Sequence, residues 1–148
     1  MKIRRIVTGH DAQGRSLVAA DSVIASHPGK MDAAIANADL WLNALPPSLD
    51  GADPTQSDFP VLPSHGGAVF RILELLSGTA PHMHKTETID YIVVIAGTLS
   101  MLLDDGTELT MKPHDVMIQR ATVHGWANRG SEPCRFATVV IDATGAKD

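Results

Sequence analysis

The sequence predicts an all-β protein with a closed or double-layered antiparallel fold. From residue 67 onward, short apolar runs recur roughly every ten residues, which is typical of strands joined by tight turns. Turn signals separate these runs, including Gly97, the Asp-Asp-Gly of residues 104–106, and Pro113. No helical period is present in this half of the chain. The predicted strands are AVFRILELL, IDYIVVIA, TLSMLLD, TELTMK, DVMIQRA, VHGWAN and CRFATVVID.

The first half of the chain is more varied. The opening residues predict a β-hairpin, in which IRRIVTG and RSLVAAD flank the turn HDAQG. A dense stretch of Pro, Gly, Asp and Ser over residues 46–67 predicts an irregular surface segment. We therefore expect one structural domain overall, in which residues 1–66 pack on a barrel formed by residues 67–148.

A short helix is predicted over residues 30–45, KMDAAIANADLWLNAL. Its apolar side chains fall at alternating steps of four and three, which is a helical stripe. Pro46 and Pro47 follow and forbid its continuation. The stripe consists of Met31, Ile35, Ala38, Leu42 and Leu45.

Composition excludes several functional classes. The net charge of −5 and the aromatic content of 4% offer neither a phosphate-binding surface nor stacking platforms, so we expect no nucleic-acid partner. No apolar stretch approaches the roughly 18 to 20 residues that a membrane-spanning helix needs. The basic start has no apolar segment after it, and the single cysteine, Cys134, cannot form an internal disulfide. We expect a cytoplasmic protein in which Cys134 is a buried, inert thiol.

Three histidines and a carboxylate are candidate metal ligands. His82 and His84 are separated by one residue, so they face the same side of an extended chain. Asp90 opens the next strand, Glu87 lies in the turn before it, and His124 follows the strand DVMIQRA. Inside a small barrel these side chains could converge. Neutral imidazoles with one carboxylate and open positions suit Fe2+, Mn2+, Ni2+ or Zn2+.

These residues carry a resemblance to the cupin superfamily of small β-barrel, or jelly-roll, proteins. The first cupin motif has a glycine, a His-x-His pair, a carboxylate and a closing glycine, which are matched here by Gly78, His82, His84 and Gly97. The phrases RRIVTGHDAQGR and HKTETIDYIVVIAGTL also resemble a subgroup of small single-domain cupins from bacteria and fungi.

The second cupin motif is matched by Asp115, His124 and Asn128, with Pro113 ahead of them. The resemblance covers about residues 67–142, roughly half of the chain. It implies a double-stranded β-helix, or jelly-roll, barrel with one bound divalent metal. Fe2+ is favoured, because histidine-rich cupin sites commonly resemble iron centres. It also implies a homodimer, and the N-terminal hairpin could pair across its two-fold axis.

The chain departs from the first motif at the carboxylate. Asp90, with six residues between it and Gly97, has the register of the usual glutamate but a shorter side chain. Glu87 has the usual chemistry but follows His84 too closely. We favour Asp90, and a site with three histidines and no carboxylate stays open.

The chain departs from the second motif at its glycines. His114 stands where the motif has a glycine before Asp115, and Gln119-Arg120-Ala121 replaces its Pro-x-Gly. These replacements bear on turn geometry more than on metal ligation.

The resemblance leads to three functional hypotheses. The first is a metal-dependent dioxygenase acting on a small oxygenated metabolite that chelates the metal. The second is a non-redox isomerase or decarboxylase with the same metal, and the third is a small-molecule-binding cupin without turnover. Trp126, Arg71 and Gln119 are candidate substrate-pocket residues, and Glu87 is the nearest candidate for a general base if it is not a ligand.

Overall fold

Strands dominate the computed structural model, which describes residues 1–49, 52–56, 58–63 and 65–145. Within these ranges the only helical element is a single 3₁₀ turn, Pro54–Gln56, and it is far too short to cross a membrane. The strands are β1 (Lys2–His10), β2 (Ser16–Ala25), β3 (His27–Pro28), β4 (Ile35–Ala44), β5 (Gly67–Leu75), β6 (Thr88–Ala96), β7 (Leu99–Leu103), β8 (Glu108–Met111), β9 (Val116–Arg120), β10 (His124–Ala127) and β11 (Cys134–Asp142).

The strands form two main sheets and a separate hairpin. One sheet has six strands in the order β3-β4-β5-β11-β6-β9, and the second has three in the order β10-β7-β8. Strands β1 and β2 make the hairpin, and the pairings in all three sheets are antiparallel. The all-β prediction is confirmed, as are the hairpin and the seven strands predicted after residue 67.

Alternation along the strands places the core between the two main sheets. On β6 the side chains of Thr88, Asp90, Ile92 and Val94 are buried, while the residues between them face outward. On β11, Cys134 is buried in the same core, and burial raises the pKa of its thiol to about 11. Cys134 is therefore a protonated packing residue at neutral pH, as expected.

The predicted helix over residues 30–45 is wrong, because most of this segment is strand β4. It pairs along its whole length with β5, from Ile35 opposite Leu75 to Ala44 opposite Gly67. The register shifts between Asp39 and Trp41, so Leu40 is an extra residue in this strand. From Ile35 to Asn43 the strand is buried or half-buried on both faces, so it lacks the one-sided burial of a typical surface strand. Pairing with β5 thus overrides the helical preference of an alanine-rich segment.

A buried arginine fastens the N-terminal hairpin to the rest of the molecule. Arg5, on β1, donates to the backbone carbonyl of Leu40 at 3.1 Å and to the hydroxyl of Thr55 at 3.0 Å. Its guanidinium also forms an ion pair with Asp53, which holds the pKa of that carboxyl well below its usual range. The segment 1–66 therefore contributes β3 and β4 to the six-stranded sheet, and Arg5 ties the hairpin to β4 and to residues 53–55 within this segment. The homodimer stays a prediction.

Two turns that bring β9 into place use left-handed backbone conformations without glycine. His114 has a φ of 77° and Ala121 has a φ of 51°. Both stand where the cupin motif has a glycine, which is the residue that adopts this conformation most easily. Their amides are used for pairing with β6: His114 donates to the carbonyl of Val94 at 3.0 Å and Ala121 donates to that of Thr88 at 3.1 Å.

Candidate metal and substrate site

The structure brings His84 and His124 into direct contact. Their backbones form an isolated antiparallel bridge, in which each amide donates to the other's carbonyl, at 2.8 and 2.9 Å. The two imidazole centroids lie 4.4 Å apart. His124 opens β10 and His84 lies in the loop before β6, so this single bridge joins the two segments that carry the histidine motifs.

Backbone carbonyls can hold one nitrogen of each ring. Nδ1 of His84 lies 3.0 Å from the carbonyl oxygen of His82, and Nδ1 of His124 lies 3.0 Å from that of Thr122. When Nδ1 carries the hydrogen and donates it to the carbonyl, Nε2 keeps a free lone pair. Metal-binding histidines in proteins are commonly oriented through their other ring nitrogen in this way.

Burial keeps His124 neutral. The ring is 1% exposed, and its desolvation lowers its pKa to about 4, against the opposing effect of its hydrogen bond to the Thr122 backbone. The neighbouring charge of His84 lowers it further. The neutral form is the one that can bind a metal.

Asp90 contributes an unpartnered carboxylate oxygen. It lies on the inner face of β6, and its buried Oδ1 has no hydrogen-bond partner among the described residues. Burial raises the pKa of Asp90, while a hydrogen bond from Thr88 and the charge of His84 act in the opposite direction. An unpaired buried carboxylate oxygen is costly unless a cation or a donor compensates it. The donor set of His84, His124 and Asp90 therefore fits a divalent metal in its chemistry.

The four predicted ligands differ in their placement. His82, His84, Asp90 and His124 all line one cavity, but His82 is exposed and its ring centroid lies 6.1 Å from that of His84. No three His, Cys, Asp or Glu side chains among the described residues are close enough together, as they stand, to hold a metal ion. The roles of these residues stay predictions.

Glu87 is not on the cavity wall. Its side chain is exposed, and its backbone carbonyl accepts a hydrogen bond from Ala143 at 3.1 Å. The general-base role predicted for it stays a prediction that its position does not support. Asp90 is the carboxylate that the fold turns toward the histidines.

The cavity has a polar end and an apolar wall. Its volume is about 130 Å³. Trp126 lies between the two parts: its ring centroid is 5.0 Å from that of His124 and 5.6 Å from that of Phe136. The apolar wall is completed by Ile35, Leu73, Ile92 and Val140. Trp126 thus lines the cavity, and its role in a substrate pocket stays a prediction.

A short segment, residues 59–62, borders the cavity and is held there by cations. Arg71 donates through its two terminal nitrogens to the carbonyls of Pro60 and Val61, each at 2.9 Å. Lys30 donates to the carbonyl of Phe59 at 2.8 Å. Arg71 lines the cavity, but these contacts occupy the nitrogens that a substrate would use, and its substrate-binding role stays a prediction.

Asp39 and His27 are cavity residues that the sequence did not reveal. Asp39 Oδ2 lies 2.9 Å from Nε2 of His27, and its Oδ1 lies 3.0 Å from Nε of Arg71. The Arg71 contact is an ion pair without hydrogen-bond geometry. The sequence does not single out Asp39, because it predicts a helix for this segment. The available signal is a charged residue within a largely apolar strand, β4.

Gln119 lies behind His124 and is not on the cavity wall. It is 5% exposed, and its side-chain nitrogen lies 2.6 Å from Nδ1 of His124. Its predicted role in contacting substrate stays untested, and its position places it in contact with a candidate ligand instead.

Comparisons with known proteins agree with this fold. A family model described as a cupin domain matches residues 72–141. The cupin-domain-containing oxidoreductase fogC of Aspergillus ruber is 34% identical over 149 aligned residues, which cover 95% of this chain and 73% of the relative. A similarly named protein, virC of Hypocrea virens, is 30% identical, covering 93% of this chain and 75% of its own.

A solved structure supports the same architecture. The cupin domain of Schizosaccharomyces pombe Cnp3 superposes with a TM-score of 0.55 at 14% identity, covering 94% of this chain and 87% of that one. The antiparallel strands with histidines on two adjoining segments define a small β-barrel protein of cupin type. The chain belongs to the cupin superfamily, which confirms the resemblance and the barrel fold predicted from the sequence.

Proposed function

We propose that this cupin is a metal-dependent oxidoreductase of the dioxygenase kind, acting on a small oxygenated metabolite. The observation that carries the proposal is the meeting of the His84–His124 pair with the unpartnered Oδ1 of Asp90 in one cavity. The names of the relatives in Aspergillus ruber and Hypocrea virens, both cupin-domain-containing oxidoreductases, support the redox assignment.

One divalent metal would be held by Nε2 of His84, Nε2 of His124 and the carboxylate of Asp90, with His82 at the rim as a further ligand. Two histidines and one carboxylate with open positions are typical of non-haem Fe2+ oxygenases, so Fe2+ is favoured over Mn2+, Ni2+ and Zn2+. When bound, such a metal supplies Lewis acidity toward substrate oxygens and a place where dioxygen and substrate meet.

The protein's own residues would orient the substrate and exclude water. A cavity of about 130 Å³ is close to the roughly 150 Å³ that accommodates a benzene ring in an apolar core, so the substrate is small. Its apolar part would pack on Trp126 and Phe136, with its oxygen atoms toward His84 and His124. Residues 59–62 would cover its outer side, held by Arg71 and Lys30.

The test compares two metals in the same protein. Anaerobically prepared protein would be loaded with Fe2+ or, as the matched control, with Zn2+, and offered a panel of small enols, α-hydroxycarbonyl compounds and ortho-diphenols. We expect dioxygen uptake with at least one compound for the Fe2+ form alone. Product formation by the Zn2+ form without dioxygen uptake would indicate a non-redox isomerase or decarboxylase. Ligand binding without product in either form would indicate a binding protein.

A further inference from the structure

Gln119 occupies a position between two of the proposed ligands. On β9 it is the direct cross-strand partner of Asp90 on β6, and both side chains are buried. Its amide nitrogen also lies 2.6 Å from Nδ1 of His124. The fold therefore puts one neutral amide in contact with the ring whose other nitrogen would bind the metal.

Thr122 holds this amide in one orientation. The amide nitrogen of Gln119 donates to the backbone carbonyl of Thr122 at 3.1 Å, and the Thr122 hydroxyl donates to the amide oxygen at 2.7 Å. The same carbonyl lies 3.0 Å from Nδ1 of His124. Gln119 and Thr122 thus hold each other through two hydrogen bonds, and the Gln119 amide and the Thr122 carbonyl compete for Nδ1 of His124.

Only one hydrogen fits between two nitrogens that are 2.6 Å apart. With the amide nitrogen facing the ring, that hydrogen belongs to Gln119, so Nδ1 of His124 must present its lone pair and the ring proton is on Nε2. With the amide rotated by half a turn, its oxygen faces the ring and accepts a hydrogen from Nδ1, which leaves Nε2 free. The neutral imidazole carries one proton in both arrangements.

We infer that Gln119 is a positioning residue whose amide orientation selects the tautomer of His124, and with it the availability of Nε2 to a divalent cation. The cation part of this inference rests on the proposed function, whereas the tautomer part does not. In the metal-free protein the Thr122 contacts favour the Nε2–H tautomer, and metal binding requires the amide to rotate. His84 has a different arrangement, because its Nδ1 lies against the backbone carbonyl of His82.

The test is long-range proton–nitrogen NMR of the histidine rings in metal-free protein at pH 8. We expect the Nε2–H tautomer for His124 in the parent. In the Gln119→Leu and Gln119→Met variants the Thr122 carbonyl is left as the partner of Nδ1, so both should show Nδ1–H. Thr122→Val keeps the carbonyl but removes the hydroxyl that fixes the amide, and it should raise the Nδ1–H population. His84 serves as the internal reference and should keep its tautomer throughout.

A Zn2+ titration adds a second readout. Gln119→Leu has no amide that must rotate before Nε2 of His124 becomes free, so a larger fraction of the protein is competent to bind. Zn2+ binding should therefore be tighter in this variant, by up to about tenfold. Nδ1–H in the metal-free parent, or Nε2–H retained in both Gln119 variants, would overturn the inference. Absence of Zn2+ binding in the parent and in every variant would instead count against the proposed metal site, and the tautomer result would stand by itself.

Discussion

His84 and His124 are fixed to each other by two backbone hydrogen bonds, of 2.8 and 2.9 Å, rather than by side-chain contacts. Their ring separation of 4.4 Å is therefore a consequence of strand pairing. A substitution of either side chain leaves this bridge in place, because it consists of main-chain atoms. The ligand role of each histidine can thus be tested apart from the fold.

The buried ring of His124 should make the metal-free protein less stable in mild acid. Its folded pKa of about 4 lies below the ordinary value of 6.5, so unfolding takes up a proton between these pH values. The free energy of unfolding should fall as pH drops through this window, by about 2 kcal/mol between pH 7 and pH 5. Urea denaturation of the parent and of His124→Gln at several pH values measures the effect.

The control for that experiment is His10→Gln, at the exposed end of β1. It should keep the parent's pH dependence, while His124→Gln should show a flatter one. Equal slopes for the parent and His124→Gln would show that His124 is not held neutral by the fold.

Asp90→Asn should stabilise the metal-free protein while removing a proposed metal ligand. Burial raises the pKa of Asp90 in the folded protein above its value in the unfolded chain. At pH values above the folded-state pKa, the ionised carboxylate therefore lowers the free energy of unfolding. Below the unfolded-state pKa this effect disappears, because the group is protonated in both states. We expect a higher denaturation midpoint for the variant at pH 7, and a difference that narrows as pH falls. Thermal denaturation with chelator present provides the measurement.

Asp105→Asn is the matched control for Asp90. Asp105 lies in an exposed turn, and its carboxylate accepts a hydrogen bond from the Thr107 amide at 2.8 Å, which lowers its pKa. This variant should gain no stability. A lower thermal denaturation midpoint for Asp90→Asn than for the parent, with chelator present, would contradict this expectation. It would show that the Asp90 carboxylate stabilises the metal-free fold.

Glycine at the two left-handed positions should stabilise the fold. Ala121→Gly and His114→Gly relieve backbone strain of about 1 to 2 kcal/mol each, partly offset by the greater freedom of glycine in the unfolded chain. We expect a net gain of roughly 0.5 to 1 kcal/mol for each variant, measured by chemical denaturation. Gly106→Ala, at a φ of 86° with open space around the new Cβ, should cost a similar amount. A lower free energy of unfolding for both Ala121→Gly and His114→Gly would contradict this expectation. It would show that the two native side chains stabilise the fold by more than the backbone strain destabilises it.

The sequence predicted the second half of the fold well because its turns and its alternation are local signals. Every turn between the strands after residue 67, except residues 121–123, contains Gly, Pro or Asp, and the histidine motifs lie near strand ends. Strand β4 could not be recognised in this way, because its bulge at Leu40 and its pairing with β5 depend on residues far along the chain. The sequence also could not predict where Asp39, Arg71 and Gln119 lie relative to the cavity, because this depends on how β4, β5 and β9 pair with their neighbours.

We expect His84 and His124 to hold one divalent metal, and the metal content of the purified protein is the measurement that decides this. Protein purified without a histidine tag would be reconstituted anaerobically with Fe2+, desalted and analysed by mass spectrometry beside a His84→Ala/His124→Ala variant and an exposed-histidine control, His10→Ala/His65→Ala. We expect close to one equivalent of metal in the parent and the control, and a small fraction of that in the His84/His124 variant. Equal metal in all three proteins, or none in the parent after reconstitution, would contradict it.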